Sequence, residues 1–449
     1  MEGLSRAVGA INVAAFRHTL GSTINSHIQS RVAVFGGSGV IAAALLSFFP
    51  FDSGAQPQQI LAPPPAYSTS PPAIQEYETN QAGVPQIEQL APANSPGKNL
   101  LEAGPVVIHP HPIYRFLYGN GIQATPGQQQ DTAINQITPG VLFAIGSHWT
   151  LDYSPTLSYY SDSHFRNTVD ESAGLRWGTL YQDWVLGFSQ NYVSSSAPII
   201  QTGTQTDTQT YTTAANATYR INTEMSIDLT ASQNFSFADQ FTTTRTWSTM
   251  DWLNFALWTR ADIGVGVGYD YNEVNPGPDV MDEQIQARIR WRLTDKTSFA
   301  LHGGPQDQQY LTNGGSSRIS FVFGASVEYR PVDTTEISLS GDRSTTPSLF
   351  QGQVVETTSV SLGVNQRLLK KLNLGLTASY GESRYLSTAP GVSATNRDDT
   401  YYSLGARLGT VILKRGTASV FYQYSDNSSN VGGFGYVSRQ VGLELGYRL

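Results

Sequence analysis

Residues 433–449 read GFGYVSRQVGLELGYRL, and their order decides the fold. From Val437 onward every second residue is Val437, Arg439, Val441, Leu443, Leu445, Tyr447 and Leu449, while Ser438, Gln440, Gly442, Glu444, Gly446 and Arg448 lie between them. A period of two puts successive side chains on opposite faces of a strand, so one face is mostly apolar and the other small or charged. The same alternation recurs back to about residue 112, with no amphipathic helical pattern to cover the apolar side. Lipid is then the solvent for that side, and only a closed barrel meets lipid without unpaired backbone groups. The fold class is all-β: a transmembrane antiparallel up-and-down β-barrel behind a disordered N-terminal extension.

Composition agrees. Charged residues make up 14% of the 449-residue chain and aromatics 11%, with 42 glycines and a mean hydropathy of −0.24. A soluble domain carries nearer a quarter charged residues. Low charge without high hydropathy fits strands whose two faces average out, and does not fit a helical membrane protein. The absence of cysteine removes disulfides, thiolate catalysis and cysteine metal sites. A net charge of −8 without a basic stripe speaks against nucleic acid as a partner.

Arg31 precedes an uncharged run from Val32 to Phe49, and Ser53 and Ala55 make a small-x-small ending. This is the pattern of a signal peptide, so residues 1–55 read as leader and signal peptide with cleavage after about Ala55. The alternative is an uncleaved anchor helix, against which Gly36, Gly37 and Gly39 weigh. Residues 56–104 are rich in Pro, Gln, Ala and Ser, a composition that cannot bury a core, and read as a disordered periplasmic linker. The barrel is residues 105–449. His109 and His111 alternate with Pro110 and Pro112, which hold the two imidazoles apart, and no third ligand is near. No metal site or cofactor is expected.

Strands are expected near 112–122, 134–146, 149–161, 170–180, 182–194, 208–221, 224–237, 246–259, 261–273, 283–294, 296–305, 317–330, 334–343, 355–368, 371–383, 399–412, 416–426 and 434–449, about eighteen, with sixteen the alternative count. Short connections, among them Gly146-Ser147-His148, Arg260-Ala261, Pro331-Val332-Asp333 and Leu369-Lys370-Lys371, alternate with long ones at Ser195–Asp207, Pro276–Asp282, Gly304–Ser316, Thr345–Val354 and Leu386–Asp398. Short turns belong to the periplasmic side of outer-membrane barrels, which places the linker and the C-terminus there. Lys296, Lys370, Lys371 and Lys414 all fall in short turns, clear of lipid. The stretch Thr249–Trp258 is apolar on both parities, and the pattern does not assign its faces.

Function belongs to the inner face. Gln284, Gln286, Arg288, Arg290 and Arg292 form one inward column opposite Ile285, Ala287, Ile289, Trp291 and Leu293. Asp152, Asp183, Asp228, Asp270, Glu328 and Glu444 are inward carboxylates, and with Arg407 these are the candidate pore-lining residues. A basic column could select anionic cargo; the plainer reading, that arginines and carboxylates pair and tie the wall, is favoured. His148, His164 and His302 fall at an inner turn, an outer loop and mid-strand, no nucleophile motif accompanies them, and no enzyme is expected. The polar run Gln201–Thr213 could bond sugars or simply be a solvated outer loop.

Several short motifs carry a resemblance: Ile137-Thr138-Pro139-Gly140, Tyr329-Arg330-Pro331, Asn396-Arg397-Asp398-Asp399, Tyr422-Gln423-Tyr424-Ser425-Asp426-Asn427-Ser428-Ser429, Val441-Gly442-Leu443 and Tyr447-Arg448-Leu449. In this order, from Ile137 to Leu449, the chain resembles the β-barrel porin type 2 family, some of whose members are found with exopolysaccharide biosynthesis loci. The resemblance implies an outer-membrane location and a part in polysaccharide export or surface attachment. It carries no catalytic residue over, and the chain departs from outer-membrane barrels generally in ending on Leu, not Phe. The expected function is an outer-membrane pore or conduit for small polar solutes or exported polysaccharide. The alternative is a plugged structural or adhesin-like barrel. The expected partners are outer-membrane lipid and the barrel assembly machinery, read through an assembly signal at Tyr447 and Leu449. Deleting those two residues should leave unfolded periplasmic protein in a fractionation experiment; normal membrane insertion of the truncation would refute that assignment.

Overall fold

A computed structural model describes residues 59–61, 101–311, 317–388, 396–413 and 415–448. The leader at 1–55, most of the 56–104 segment, Lys414 and Leu449 lie outside the described residues. The wall begins with β1 (Val106–Thr125) and β2 (Gln128–Ile145). The third strand, β3, comes in two halves, Trp149–Tyr153 and Thr156–Tyr160. There follow β4 (Thr168–Tyr181), β5 (Trp184–Ser195), β6 (Thr208–Arg220), β7 (Met225–Ala238) and β8 (Thr243–Trp258). The next five are β9 (Ala261–Asn275), β10 (Asp279–Thr294), β11 (Thr297–Leu311), β12 (Ser317–Val332) and β13 (Thr335–Pro347). The chain closes with β14 (Gln353–Leu368), β15 (Leu372–Ser387), β16 (Asp398–Ile412), β17 (Gly416–Ser429) and β18 (Tyr436–Tyr447). Each strand pairs antiparallel with the next, and β18 returns to β1 from Ile113↔Gly446 to Asn120↔Arg439. The result is a closed barrel of 18 strands. Barrels of this size enclose a lumen that the wall side chains alone do not fill.

The closing strand shows the alternation in its burial. Ser438, Gln440 and Glu444 are 0%, 1% and 3% exposed, whereas Val441, Leu443 and Leu445 are 52%, 38% and 45% exposed. The faces of Thr249–Trp258 also resolve: Trp252 and Asn254 are buried toward the lumen and Leu253 faces out. Trp252 can turn inward because its cross-strand partner is Gly266, where a Cβ would stand 2.6 Å from the indole.

Two differences from the expected strands have physical causes. Proline has no N–H for the ladder, and β3 breaks at Ser154-Pro155, where Ser154 exchanges backbone bonds with Ser172 of β4 (2.8 and 3.3 Å). Three of the long loops are shorter than expected: β11 runs to Leu311, β10 begins at Asp279, and only 348–352 separate β13 from β14. The apolar outward pattern stops near Ile285, but the ladder does not. Above it the outward face becomes polar, with Glu283 opposite Asp307 and Arg245 bonded to Glu273 at 3.3 Å. A ladder needs only backbone partners, so strands continue past the lipid where hydropathy falls silent. The turns at the other rim hold two to four residues each, with Lys370 at φ 62° in one and Lys296 Nζ donating to Pro331 O (2.6 Å) from another.

The seam between β1 and β18 is tied inside the barrel. Arg115 is the cross-strand partner of Glu444, and Arg407 on β16 donates to Glu444 Oε1 (3.3 Å) and to Ser419 Oγ (3.0 Å). Both guanidinium groups lie over the Phe421 ring, at 4.5 Å and 5.3 Å. Removing the carboxylate leaves the buried Arg115 facing the half-buried Arg407 without a counter-charge, a change of the kind that costs up to about 3–5 kcal/mol. Glu444→Ala should therefore lower the thermal unfolding midpoint in detergent well below that of Ser419→Ala. An unchanged midpoint would remove this network from the account of closure.

Candidate functional site: the lumen and its bridged mouth

At mid-height the inward column meets carboxylates from neighbouring strands. Arg288 forms an ion pair with Asp228, donates from Nε to Asn254 Oδ1 (3.0 Å), and lies 4.4 Å over Trp252. Arg290 Nε bonds Asp262 Oδ1 at 2.8 Å. Arg292 is half-buried near the inner end of the same strand. Asp152 accepts from Ser154 Oγ (2.7 Å) and lies 3.1 Å from Nε2 of His111, whose ring fits over Gly140. Glu328 pairs with Arg330, and Asp270 accepts from Gln284 (3.3 Å). Asp183 differs from its expected place on the wall: it lies in the exposed turn after Tyr181, at the rim. Of the histidines, His148 bonds Gly178 O in an inner turn, His164 bonds Asp162 in an outer loop, and the His302 ring lies against Gly324 in mid-wall.

The half of the lumen toward the long loops is organised differently. On β1, β2 and β17, Leu117, Ile122, Ile134 and Phe421 are apolar residues on the inward side, against the polar trend of that face. Water would be a poor solvent for them, and segments of the same chain cover them. The loop 196–207 between β5 and β6 turns inward with Ala197 and Ile200, joined by Phe165, Tyr436 and two residues of the N-terminal segment, Ile60 and Leu61. Ile60 is 1% exposed; its N–H donates to Pro198 O and its carbonyl accepts from Gln440 Nε2, both at 2.9 Å. Gln59 forms a β-bridge with Ile199. Of the polar run Gln201–Thr213, Thr208–Thr213 lie in β6, where the expected strand near 208–221 put them, but the loop part is not solvated throughout: Thr202 and Thr206 are each 3% exposed and bonded to one another at 2.7 Å.

From across the mouth, loops of distant strands reach this one. Leu349 N donates to Gln201 Oε1 (3.2 Å), and Thr242 N donates to Leu349 O (2.9 Å), joining the β7–β8 and β13–β14 connections. Arg397, before β16, donates to Gln201 O (2.7 Å) and Ile200 O (3.2 Å) while its Nε contacts both Asp399 oxygens at 2.9 Å. Its guanidinium lies between Phe434 and Tyr385, 3.8 and 4.5 Å from their ring centres. A cation this buried holds its place only when its donors are matched, which makes Arg397 a clasp on the inward loop.

The opposite side of the mouth is doubled. Above Phe323 and Arg343 the β12–β13 ladder lapses, while β13, β14 and β15 remain paired to their ends. There Val354 and Leu386, on the face that lower down exposes Val360 and Leu362, pack with Val280 and Tyr310 from the inner face of β10 and β11. Glu356, on the same outward face, accepts from Arg318 of β12 (2.8 Å) and Arg343 of β13 (2.6 Å). The outer ends of β13–β15 thus form a flap inside the wall of β10–β12. Sequence reading missed the flap because both layers alternate normally. The apolar inner patch did leave a signal, in Leu117 and Ile134 at inward parity.

A closed antiparallel 18-strand β-barrel bridged across its mouth at the long-loop rim is the class that this geometry defines. No family model matches the chain, and no curated protein does. Solved structures similar to it include OpdL of Pseudomonas aeruginosa, 12% identical with a TM-score of 0.42, covering 77% of this chain and 99% of that one. OccK11 (OpdR) of the same organism is 13% identical with a TM-score of 0.39, covering 76% and 96%. The siderophore receptor PirA, also from Pseudomonas aeruginosa, is 9% identical with a TM-score of 0.38, covering 75% and 80%. Likenesses this distant say nothing of cargo.

Proposed function

We propose that this chain is an outer-membrane channel for hydrophilic solutes whose outer mouth is held nearly shut by its own loop 196–207 and the Gln59–Leu61 segment. The observation that carries the reading is the contrast within one lumen: a polar, ion-paired wall at mid-height, and an apolar patch near the mouth covered by these two segments. Polar walls with matched charges let hydrophilic molecules pass without a deep binding well. A covered apolar patch held by a clasp is a closure that can be released without unfolding the wall. The rim of short turns and the C-terminus face the periplasm in this reading, with Tyr447 and Leu449 serving as the assembly signal. Exported polysaccharide is the favoured cargo on the strength of the family resemblance, and small polar solutes otherwise.

Planar-bilayer recordings test this. Wild-type protein should show small or intermittent single-channel currents, and Arg397→Ala should raise open probability because loop 196–207 loses its hold. Deleting 196–207 should raise conductance further. Correctly inserted protein that stays silent in all three forms would defeat the channel reading and favour the plugged anchor or adhesin.

A further inference from the structure

Just below the flap contact, the inner wall of β9–β11 presents a buried group of carboxylates and amides, several of whose oxygens lack a donor. Asp270 and Asp282 are direct cross-strand partners, as are Asp282 and Gln308, and Gln284 and Gln306 one row lower. Asp270, Asp282, Gln306 and Gln308 are 7%, 4%, 4% and 1% exposed. Two adjacent carboxylates are thus buried together, and the donors around them are neutral: Asn272 Nδ2 (3.0 Å) and the Gln306 and Gln308 amides at Asp282, and Gln284 Nε2 (3.3 Å) and the Ser248 hydroxyl at Asp270. Oδ1 of Asp282 and the Oε1 atoms of Gln286, Gln306 and Gln308 have no partner.

The amide orientations follow from the carboxylate. Gln284 must turn its NH2 to Asp270, so its oxygen receives Gln286 Nε2 (2.7 Å), and Gln286 is left with its own oxygen free. An orphaned donor, Nη1 of Arg318, lies one strand along from Gln308, but the Arg318 guanidinium is turned to Glu356, which it shares with Arg343. Burying two like charges side by side without a counter-charge is strongly unfavourable. Carboxylate and amide oxygens without donors are the ligand set of a hard cation.

We propose that Asp282 and Asp270, with the Gln306 and Gln308 amides turned so that their oxygens face the ion, bind a hard divalent cation of the calcium class on the inner wall beneath the flap. The cation neutralises the carboxylate pair and satisfies the orphaned oxygens. It also stiffens the part of β10 and β11 against which Val354 and Leu386 pack, coupling the flap to the ion. The site does not depend on whether the barrel conducts.

Calorimetric titration of chelator-stripped full-length protein in detergent micelles with Ca2+ tests the proposal. One saturable site is expected, weakened at least about tenfold in Asp282→Asn and in Gln308→Leu. The site should be unaffected in the Glu283→Gln, Asp307→Asn double variant, which removes outward carboxylates at nearly the same height. Heat-modifiable gel migration reports folding of each variant, and if Asp282→Asn does not fold, Gln308→Leu decides. Absence of saturable binding at millimolar Ca2+ would overturn the proposal, leaving a shared proton as the neutralising species. Loss of binding in the outward double variant, with none in Gln308→Leu, would overturn it equally.

Discussion

In hydrocarbon an unpaired backbone N–H or C=O costs several kcal/mol, and this one cost shapes the whole wall. It requires every strand edge to find a partner, so the last strand must return to the first. The return is made by eight paired positions, from Ile113↔Gly446 to Asn120↔Arg439, and reinforced inside by the Arg115, Glu444, Arg407 and Phe421 group. The ladder between β12 and β13 lapses above Phe323, at the long-loop end of the strands, near where Glu283 and Asp307 show the outward face to be polar. The exception therefore obeys the constraint: the edge is released where water can satisfy it. Glu356 and its two arginines bridge the gap with side chains in place of backbone.

That release makes the mouth possible. Freed from β12, the ends of β13–β15 can pass inside the wall and bury Val354 and Leu386 against Val280 and Tyr310. Opposite them, loop 196–207 follows the same logic from the other direction, carrying Ala197 and Ile200 onto inward Leu117, Ile122 and Ile134. Hydrophobic burial supplies the attraction on both sides, and polar contacts set the register. Arg397 spans the two halves, stacked on Tyr385 of the flap while it holds the carbonyls of Ile200 and Gln201.

Most of the wall was legible in the sequence because lipid imposes a pattern that needs no knowledge of tertiary contacts. Val441, Leu443 and Leu445 announce their face by composition alone, and so do Ile285 to Leu293. Strand ends were not legible, since a ladder beyond the membrane has no reason to alternate. The partners of the arginine column were legible only as a kind of pairing; that Arg288 takes Asp228, sixty positions away, depends on register across three strand interfaces. Ile60 and Leu61 were hidden inside a Pro-rich segment whose composition says only that it cannot fold alone. The exceptions that pointed to them were Leu117 and Ile134, apolar residues where a water-filled lumen would want polar ones.

The central claim is that one face of each strand meets lipid and the other meets the lumen around a closed wall. The chain contains no cysteine, so single cysteines at Ser359, Val360, Ser361 and Leu362 of β14 can each carry a nitroxide label in protein reconstituted into bilayers. Spin relaxation by oxygen and by a water-soluble nickel chelate reads the surroundings of each label. The account predicts high oxygen and low nickel accessibility at Val360 and Leu362, and the reverse at Ser359 and Ser361. Accessibility that fails to alternate, or alternates in the opposite phase, would contradict it.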